Sequence, residues 1–152
     1  TKLLGEYLAR ESNEMYNKEA YFVIRCPNLL GSRGSVTDVW FEQIKKTNKI
    51  TVTNPDMTRY FVSLEDAGSF VVNLGLSPDA DIKKIYYPNK FTQKYKLKDL
   101  AEAFIKVYGN KDSKLVLPDA TPGDRKPEDY IEDMPRVKLS DLIQILTQLN
   151  LK

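Results

Sequence analysis

The sequence predicts an α/β fold, and three observations carry that prediction. Short runs of β-branched and aromatic residues alternate with stretches whose apolar residues recur at helical spacing. The first such run, Tyr21-Phe22-Val23-Ile24-Arg25-Cys26, is almost continuously apolar, as a strand covered on both faces of a parallel sheet is. The chain also has 152 residues, 41% of them hydrophobic, which suffices for one ordinary domain with a buried core.

Each element has its own signal. Leu3, Leu4, Tyr7 and Leu8 share one helical face, closed by polar Arg10 to Asn13, and predict an opening amphipathic helix. The apolar run Tyr21 to Cys26 is the first strand. Pro27 to Ser35, with Gly31 and Gly34, is read as a loop ending in a helix start, where Ser35 can cap and Asp38 lies in the first turn. Val36, Trp40 and Ile44 set the register of that helix through about Lys45. Ile50 to Thr53 alternates as a short strand, Asn54-Pro55-Asp56 turns, and Thr58 to Val62 is extended again. Ser63 then caps a helix whose face is Leu64, Ala67, Val71 and Leu74 and whose end is marked by Gly75. Lys84 to Tyr87 reads as a strand. Leu97, Leu100, Ala101, Phe104, Val107 and Tyr108 form the clearest helical stripe, stopped by Gly109. Lys114 to Leu117 is a last strand, Ala120 to Asp129 a polar loop, and Leu139, Leu142, Ile143, Leu146 and Leu149 a terminal helix.

Composition removes several kinds of chemistry. The chain has no histidine and a single cysteine, Cys26, so internal disulfides, histidine-based triads and ordinary zinc sites are excluded, and no metal site is expected. Lys plus Arg number 23 against 21 Asp plus Glu, without a basic block, which argues against nucleic acid as a partner. Neither a run of 18 apolar residues nor a signal-peptide core is found in the sequence, so no membrane association and a cytoplasmic location are expected. Thr1-Lys2-Leu3-Leu4 enters helical spacing at once, without an initiator Met, as a chain preceded by further elements would. The glycine-rich turn of a dinucleotide-binding βαβ unit does not occur in these residues.

Two stretches could carry binding chemistry. Asn28-Leu29-Leu30-Gly31-Ser32-Arg33-Gly34-Ser35-Val36 lies between the first strand and a helix, at the carboxyl end where α/β sheets bind ligands. An amide, a guanidinium, glycines and a helix N-terminus suit an anionic, hydroxyl-rich ligand, though a solvated loop with Ser35 as a simple cap accounts for the same residues. In Asp56-Met57-Thr58-Arg59-Tyr60-Phe61, Arg59 is the one strong charge of a half-apolar strand, suited to a diphosphate or to an ordinary salt bridge. Asp124, in Pro122-Gly123-Asp124-Arg125, could accept from ribose hydroxyls or stabilise a turn. Trp40, Tyr86 and Tyr87 fall on apolar periodicities and read as core or strand residues.

These residues resemble a known family. Val23 to Val36 looks like the block V-R-x-x-N-V-x-G-S-R-G-S-V of UDP-N-acetylglucosamine 4,6-dehydratases of bacterial polysaccharide biosynthesis. Ile50 to Phe61 looks like that family's next block, I-T-V-T-D-P-x-M-T-R-F/Y. The family is one of extended short-chain dehydrogenase/reductases, so the resemblance implies the C-terminal part of that Rossmann-like fold. Residues 1–30 would be the last helix and strand of the dinucleotide-binding domain, and 31–152 the small sugar-nucleotide-binding lobe. It implies that only the C-terminal half of the family's length is present and that this portion alone does not turn over. Lys2 resembles the lysine of the Y/M-x-x-x-K signature, which makes it the implied catalytic and cofactor-binding residue.

The resemblance further implies an NAD(P)-dependent lyase acting on a UDP-sugar, a homo-oligomer when intact, with NAD or NADP bound mainly outside these residues. Such an enzyme oxidises C4 of the sugar, eliminates water across C5 and C6 and returns the hydride to C6, in some members inverting C5. The implied substrate-binding residues are Asn28, Arg33, Val52, Thr53, Arg59 and Asp124: Arg59 on the diphosphate, Val52 and Thr53 near the uridine, Asp124 on ribose hydroxyls. The family's Arg before Pro-Gly is Thr121 here, leaving Arg125 as the candidate for that contact, and Pro27 stands where the family has Gly. A nucleotide-sugar 4-epimerase and a non-catalytic sugar-nucleotide-binding module are the competing readings. If neighbours of the first helix and strand lie outside the chain, its apolar faces should drive association.

Overall fold

The computed structural model describes residues 2–16, 20–118 and 139–148. They fall into two compact units, Thr1–Cys26 with Glu65–Phe91 and Pro27–Leu64 with Thr92–Lys152. Asp124, Thr121 and Arg125 lie outside the described residues, as does the polar loop that carries them.

The first unit opens with α1 (Lys2–Met15), followed by β1 (Val23–Ile24). The strand read from Tyr21 to Cys26 is thus shorter than its apolar run, because its single neighbour, β5 (Ile85–Tyr86), pairs with it over two residues. The pairing is parallel, as that run predicts, with Val23 opposite Ile85 and Ile24 opposite Tyr86. Buried Asn13 closes the connection from α1: its Oδ1 accepts from the amides of Ala20 and Tyr21, and its Nδ2 donates to the Tyr21 carbonyl at 2.8 Å. An otherwise helix-weak residue is accounted for by that local role. The helix α3 (Leu64–Gly75) includes Gly75 as its last residue rather than stopping before it.

The second unit holds the main core. Here β2 (Asn28–Leu30) pairs in parallel with β4 (Thr58–Ser63), which pairs antiparallel with β6 (Gln93–Lys96). One expectation is corrected, and one segment left unassigned by the sequence gains its structure. Pro27 to Ser35 is not one loop, since Asn28 to Leu30 form a strand through their parallel pairing with β4, with Leu30 buried in the core. The segment before the clearest helical stripe contains the strand β6, preceded by a one-turn 3-10 helix at Asn89–Phe91. A separate parallel pair joins β3 (Lys49–Thr51) to β7 (Lys114–Val116).

Between these strands run α2 (Val36–Thr47), α4 (Leu97–Tyr108) and α5 (Leu139–Gln148). Val36, Trp40 and Ile44 turn the α2 stripe inward as predicted, with Trp40 and Ile44 buried. Asn48 ends α2 in a left-handed conformation (φ 53°) and donates its amide to the Ile44 carbonyl, a stop that Asn tolerates better than most side chains. On α4, Leu100, Ala101, Ala103 and Phe104 are wholly buried, and Phe104 meets Trp40 edge-on with ring centroids 5.9 Å apart. The Tyr108 hydroxyl donates to the Leu146 carbonyl at 2.7 Å, fastening α5 to α4. Mostly parallel strands connected through helices make this an α/β architecture, as the sequence predicts.

Candidate functional site

Strand β2 separates residues that look contiguous in sequence. Asn28 stands at its amino end and the Gly31 to Ser35 turn leaves its carboxyl end, so about 7 Å of strand lies between them. In register, Asn28 is opposite Phe61, two residues beyond Arg59 on β4. Because side chains two apart share a face, Asn28, Arg59 and Phe61 lie on the same face of the β2–β4–β6 sheet, with Tyr95 opposite Arg59. Asn28 is anchored by its Nδ2, which donates to the Tyr60 carbonyl at 2.9 Å. Arg59 is half-buried, and its Nη1 donates to the Thr58 carbonyl at 3.1 Å. A guanidinium and an exposed amide at one end of the sheet can grip a diphosphate through charge-assisted hydrogen bonds.

The opposite end of β2 is built differently. Gly31 (φ 79°) and Gly34 (φ 74°) occupy left-handed backbone, where a side chain would be strained. Around them the Thr37 hydroxyl, completely buried, accepts from the Gly31 amide at 3.2 Å and bonds the Ser35 hydroxyl at 2.9 Å. Ser35 takes the cap position, extended at φ −68° and ψ 166°, but its side chain makes no capping bond to the helix. Asp38 instead reaches back, its carboxylate accepting from the Gly34 amide at 2.7 Å. An acid thus already occupies the start of α2, which corrects the expectation that this helix end favours an anionic ligand. Arg33 is exposed on the same turn.

Val52 and Thr53 follow β3. The Val52 side chain is buried in the core and its amide donates to the Val116 carbonyl at 3.0 Å, so a ligand there would meet backbone and the exposed Thr53. Lys2 is exposed on the first turn of α1, in the other unit. The structure therefore brings Asn28 and Arg59 together, sets Arg33 beyond the far end of β2, and leaves Asp124 outside the described residues.

Strand β6 carries two lysines on the sheet face opposite Arg59, Lys94 standing across from Tyr60 and Lys96 across from Thr58. Lys94 Nζ sits 5.2 Å from the Tyr60 ring centroid, and Lys96 Nζ pairs with Asp56 at 2.6 Å, holding the Asp56 carboxyl below the usual aspartate range. The alternation Gln93-Lys94-Tyr95-Lys96 is the signal, lysine being common on edge strands. Cys26 is exposed, and partial burial pushes its thiol pKa up, away from nucleophilic use. Among the described residues no cluster of His, Cys, Asp or Glu could hold a metal ion, and no helix is long and apolar enough to cross a membrane.

A dinucleotide needs a glycine turn whose free amides meet its phosphates at a helix start. The only left-handed glycines among the described residues precede α2, where Asp38 holds the Gly34 amide. These residues therefore do not by themselves fit a dinucleotide, and no step of a reaction through one is assigned to them.

Comparison with known proteins fits this architecture. A family model described as "Polysaccharide biosynthesis protein" matches residues 1–150. The capsular polysaccharide biosynthesis protein CapD of Staphylococcus aureus is 32% identical over 116 residues, covering 76% of this chain and 19% of that protein. An uncharacterized membrane protein of Methanocaldococcus jannaschii is 34% identical over 152 residues, covering 93% of this chain and 44% of its own length. The chain thus spans from a fifth to under a half of these curated relatives. Among solved structures, UDP-glucuronic acid 4-epimerase from Bacillus cereus, in complex with UDP-glucuronic acid and NAD, superposes with a TM-score of 0.66 at 16% identity, over 97% of this chain and 50% of that one. The dTDP-glucose 4,6-dehydratase DesIV from Streptomyces venezuelae, with NAD bound, gives 0.66 at 12% identity, over 95% and 47%. At such identities the likeness is one of fold alone, of the α/β Rossmann type.

Proposed function

The chain belongs to the polysaccharide biosynthesis protein family, and from that premise we propose that it forms the substrate-binding portion of a UDP-N-acetylglucosamine 4,6-dehydratase. The observation that carries the reading is the placement of Asn28 and Arg59 on one face of the β2–β4 sheet, at residues belonging to the two motif blocks, Val23 to Val36 and Ile50 to Phe61. Arg59 and Asn28 hold the diphosphate, Thr53 and the backbone at Val52 lie by the uridine, and Arg33 serves the sugar side. Asp124 takes the ribose hydroxyls, and Lys2 is the active-site lysine. NAD or NADP is held mainly by protein outside these residues, and the whole enzyme is a lyase of nucleotide-sugar biosynthesis. Residues 1–30 complete the dinucleotide-binding domain, with Asn28 at its end reaching the substrate, and 31–152 bind substrate.

A 4-epimerase is the second reading, since UDP-glucuronic acid 4-epimerase shares the fold to the same degree as the dehydratase DesIV. NMR of the full polypeptide incubated with UDP-N-acetylglucosamine separates them. The dehydratase yields a 4-keto-6-deoxy sugar with a new C6 methyl signal. A product inverted at C4 with C6 intact assigns the epimerase, and binding without conversion assigns a non-catalytic module.

A further inference from the structure

The first residue beyond each strand of the parallel pair β1–β5 carries a polar head: Arg25 follows Ile24, and Tyr87 follows Tyr86. Arg25 is fixed first by its backbone, whose amide donates to the Tyr86 carbonyl at 2.9 Å. Its guanidinium then forks over the Glu6 carboxylate of α1. Nε donates to the two oxygens at 3.0 and 3.1 Å, and Nη2 donates to Oε2 at 2.8 Å. The remaining arm, Nη1, donates to the Tyr87 hydroxyl oxygen at 3.1 Å. The carboxyl of Glu6 is held below its ordinary range by this bond, and the guanidinium is held protonated.

An exposed ion pair adds little to stability, so the worth of this one is sought in geometry. Planar, bidentate pairing of guanidinium and carboxylate fixes orientation as few other contacts do. Glu6 follows Lys2 by four residues on α1, which places the two on one helical face, a turn apart. The clamp also stands at the carboxyl ends of two parallel strands, the edge where α/β sheets receive ligands. We propose that Arg25, Glu6 and Tyr87 form a positioning clamp that sets the rotation of α1 and so turns Lys2 toward the carboxyl edge of β1–β5. The three touch no reacting atom and act through Lys2, and the assignment rests on Lys2 being the active-site lysine under the proposed function.

Hydrogen exchange and kinetics on the full polypeptide test this together. Glu6→Gln and Arg25→Lys should each raise amide exchange in α1 about two- to fivefold, as loss of an exposed charge pair does, and leave α4 unchanged as the control for folding. Turnover of UDP-N-acetylglucosamine should fall about tenfold in kcat with KM unchanged. The swap of Glu6→Arg with Arg25→Glu should restore both. Unchanged exchange in α1, a loss shared equally by α4, or a swap that restores exchange without kcat would each overturn the clamp. A wild type that turns over no UDP-sugar defeats the functional reading alone, and exchange in α1 with its restoration by the swap then decides the clamp.

Discussion

Arg59 is a strand residue whose charge is held half in and half out of the protein. Its backbone sits between buried Thr58 and Tyr60, while its side chain shares a face with Asn28. If it grips the substrate's diphosphate, removing it forfeits a charge-assisted hydrogen bond of about 1.5–3 kcal/mol, or roughly 10- to 100-fold in affinity. Calorimetric titration of UDP-N-acetylglucosamine should therefore show Arg59→Ala binding that much more weakly than wild type, and equal affinities would remove Arg59 from the site. Asp56 offers a pH test at the same scale. Its folded pKa lies below the ordinary 3.8 because Lys96 donates to its carboxylate, so its contribution to stability is present above that value and lost as pH falls through the depressed one. In melts across pH, Asp56→Asn should melt below wild type near neutrality, with the gap closing only in that acid range. A gap independent of pH would show that the Lys96 pair is not its source.

At the scale of elements, α4 organises the core of the second unit. Phe104 has none of its surface exposed and packs against Trp40 on α2 and against Tyr108, whose ring lies 4.6 Å away. Phe104→Ala should cost about 3–5 kcal/mol, read as a lower denaturant midpoint at unchanged slope, whereas a loss below about 1 kcal/mol would mean that the site collapses to fill the void. This helix was fully legible, because a continuous apolar stripe ending at Gly109 reports both its buried face and its length. Helix α2 was legible for the same reason. The strands β2 and β6 were not: Asn28-Leu29-Leu30 is too short to show a period, and the alternation of Gln93 to Lys96 rests on a single apolar residue, Tyr95. What makes them strands is β4 between them, a long-range pairing that no local window contains. The candidate site shared that fate. Its residue types could be read from the motif blocks, but the separation of Asn28 from Arg33 follows from β2 being a strand. The engagement of Gly34 by Asp38 follows from the geometry of the turn.

At the scale of the molecule, α1 exposes a large apolar surface, as α3 and the residue after it do at Leu64, Val71, Val72 and Leu76. Leu3, Leu4, Tyr7 and Leu8 are 70%, 59%, 61% and 56% exposed, on a single helical face and within two turns. Scattered apolar residues on a surface need no explanation, but a contiguous face of this kind marks a surface that another protein element covers. The polar ends of the helix point the same way, since Glu6 and Asn13 are tied to β1 and its approach while the apolar residues have water as their neighbour. Burying such a face is favourable by about 25 cal/mol per Å² of apolar surface, ample to drive association of chains that expose it. The 152-residue chain should accordingly show a weight-average mass that rises with concentration in sedimentation or light scattering. Leu4→Lys together with Leu8→Lys should return it to monomer mass without altering the denaturation midpoint of the second unit. A wild-type chain whose mass stays at that of one copy across the concentration range would show that this face is stable in water, and would remove the driving force assigned to it.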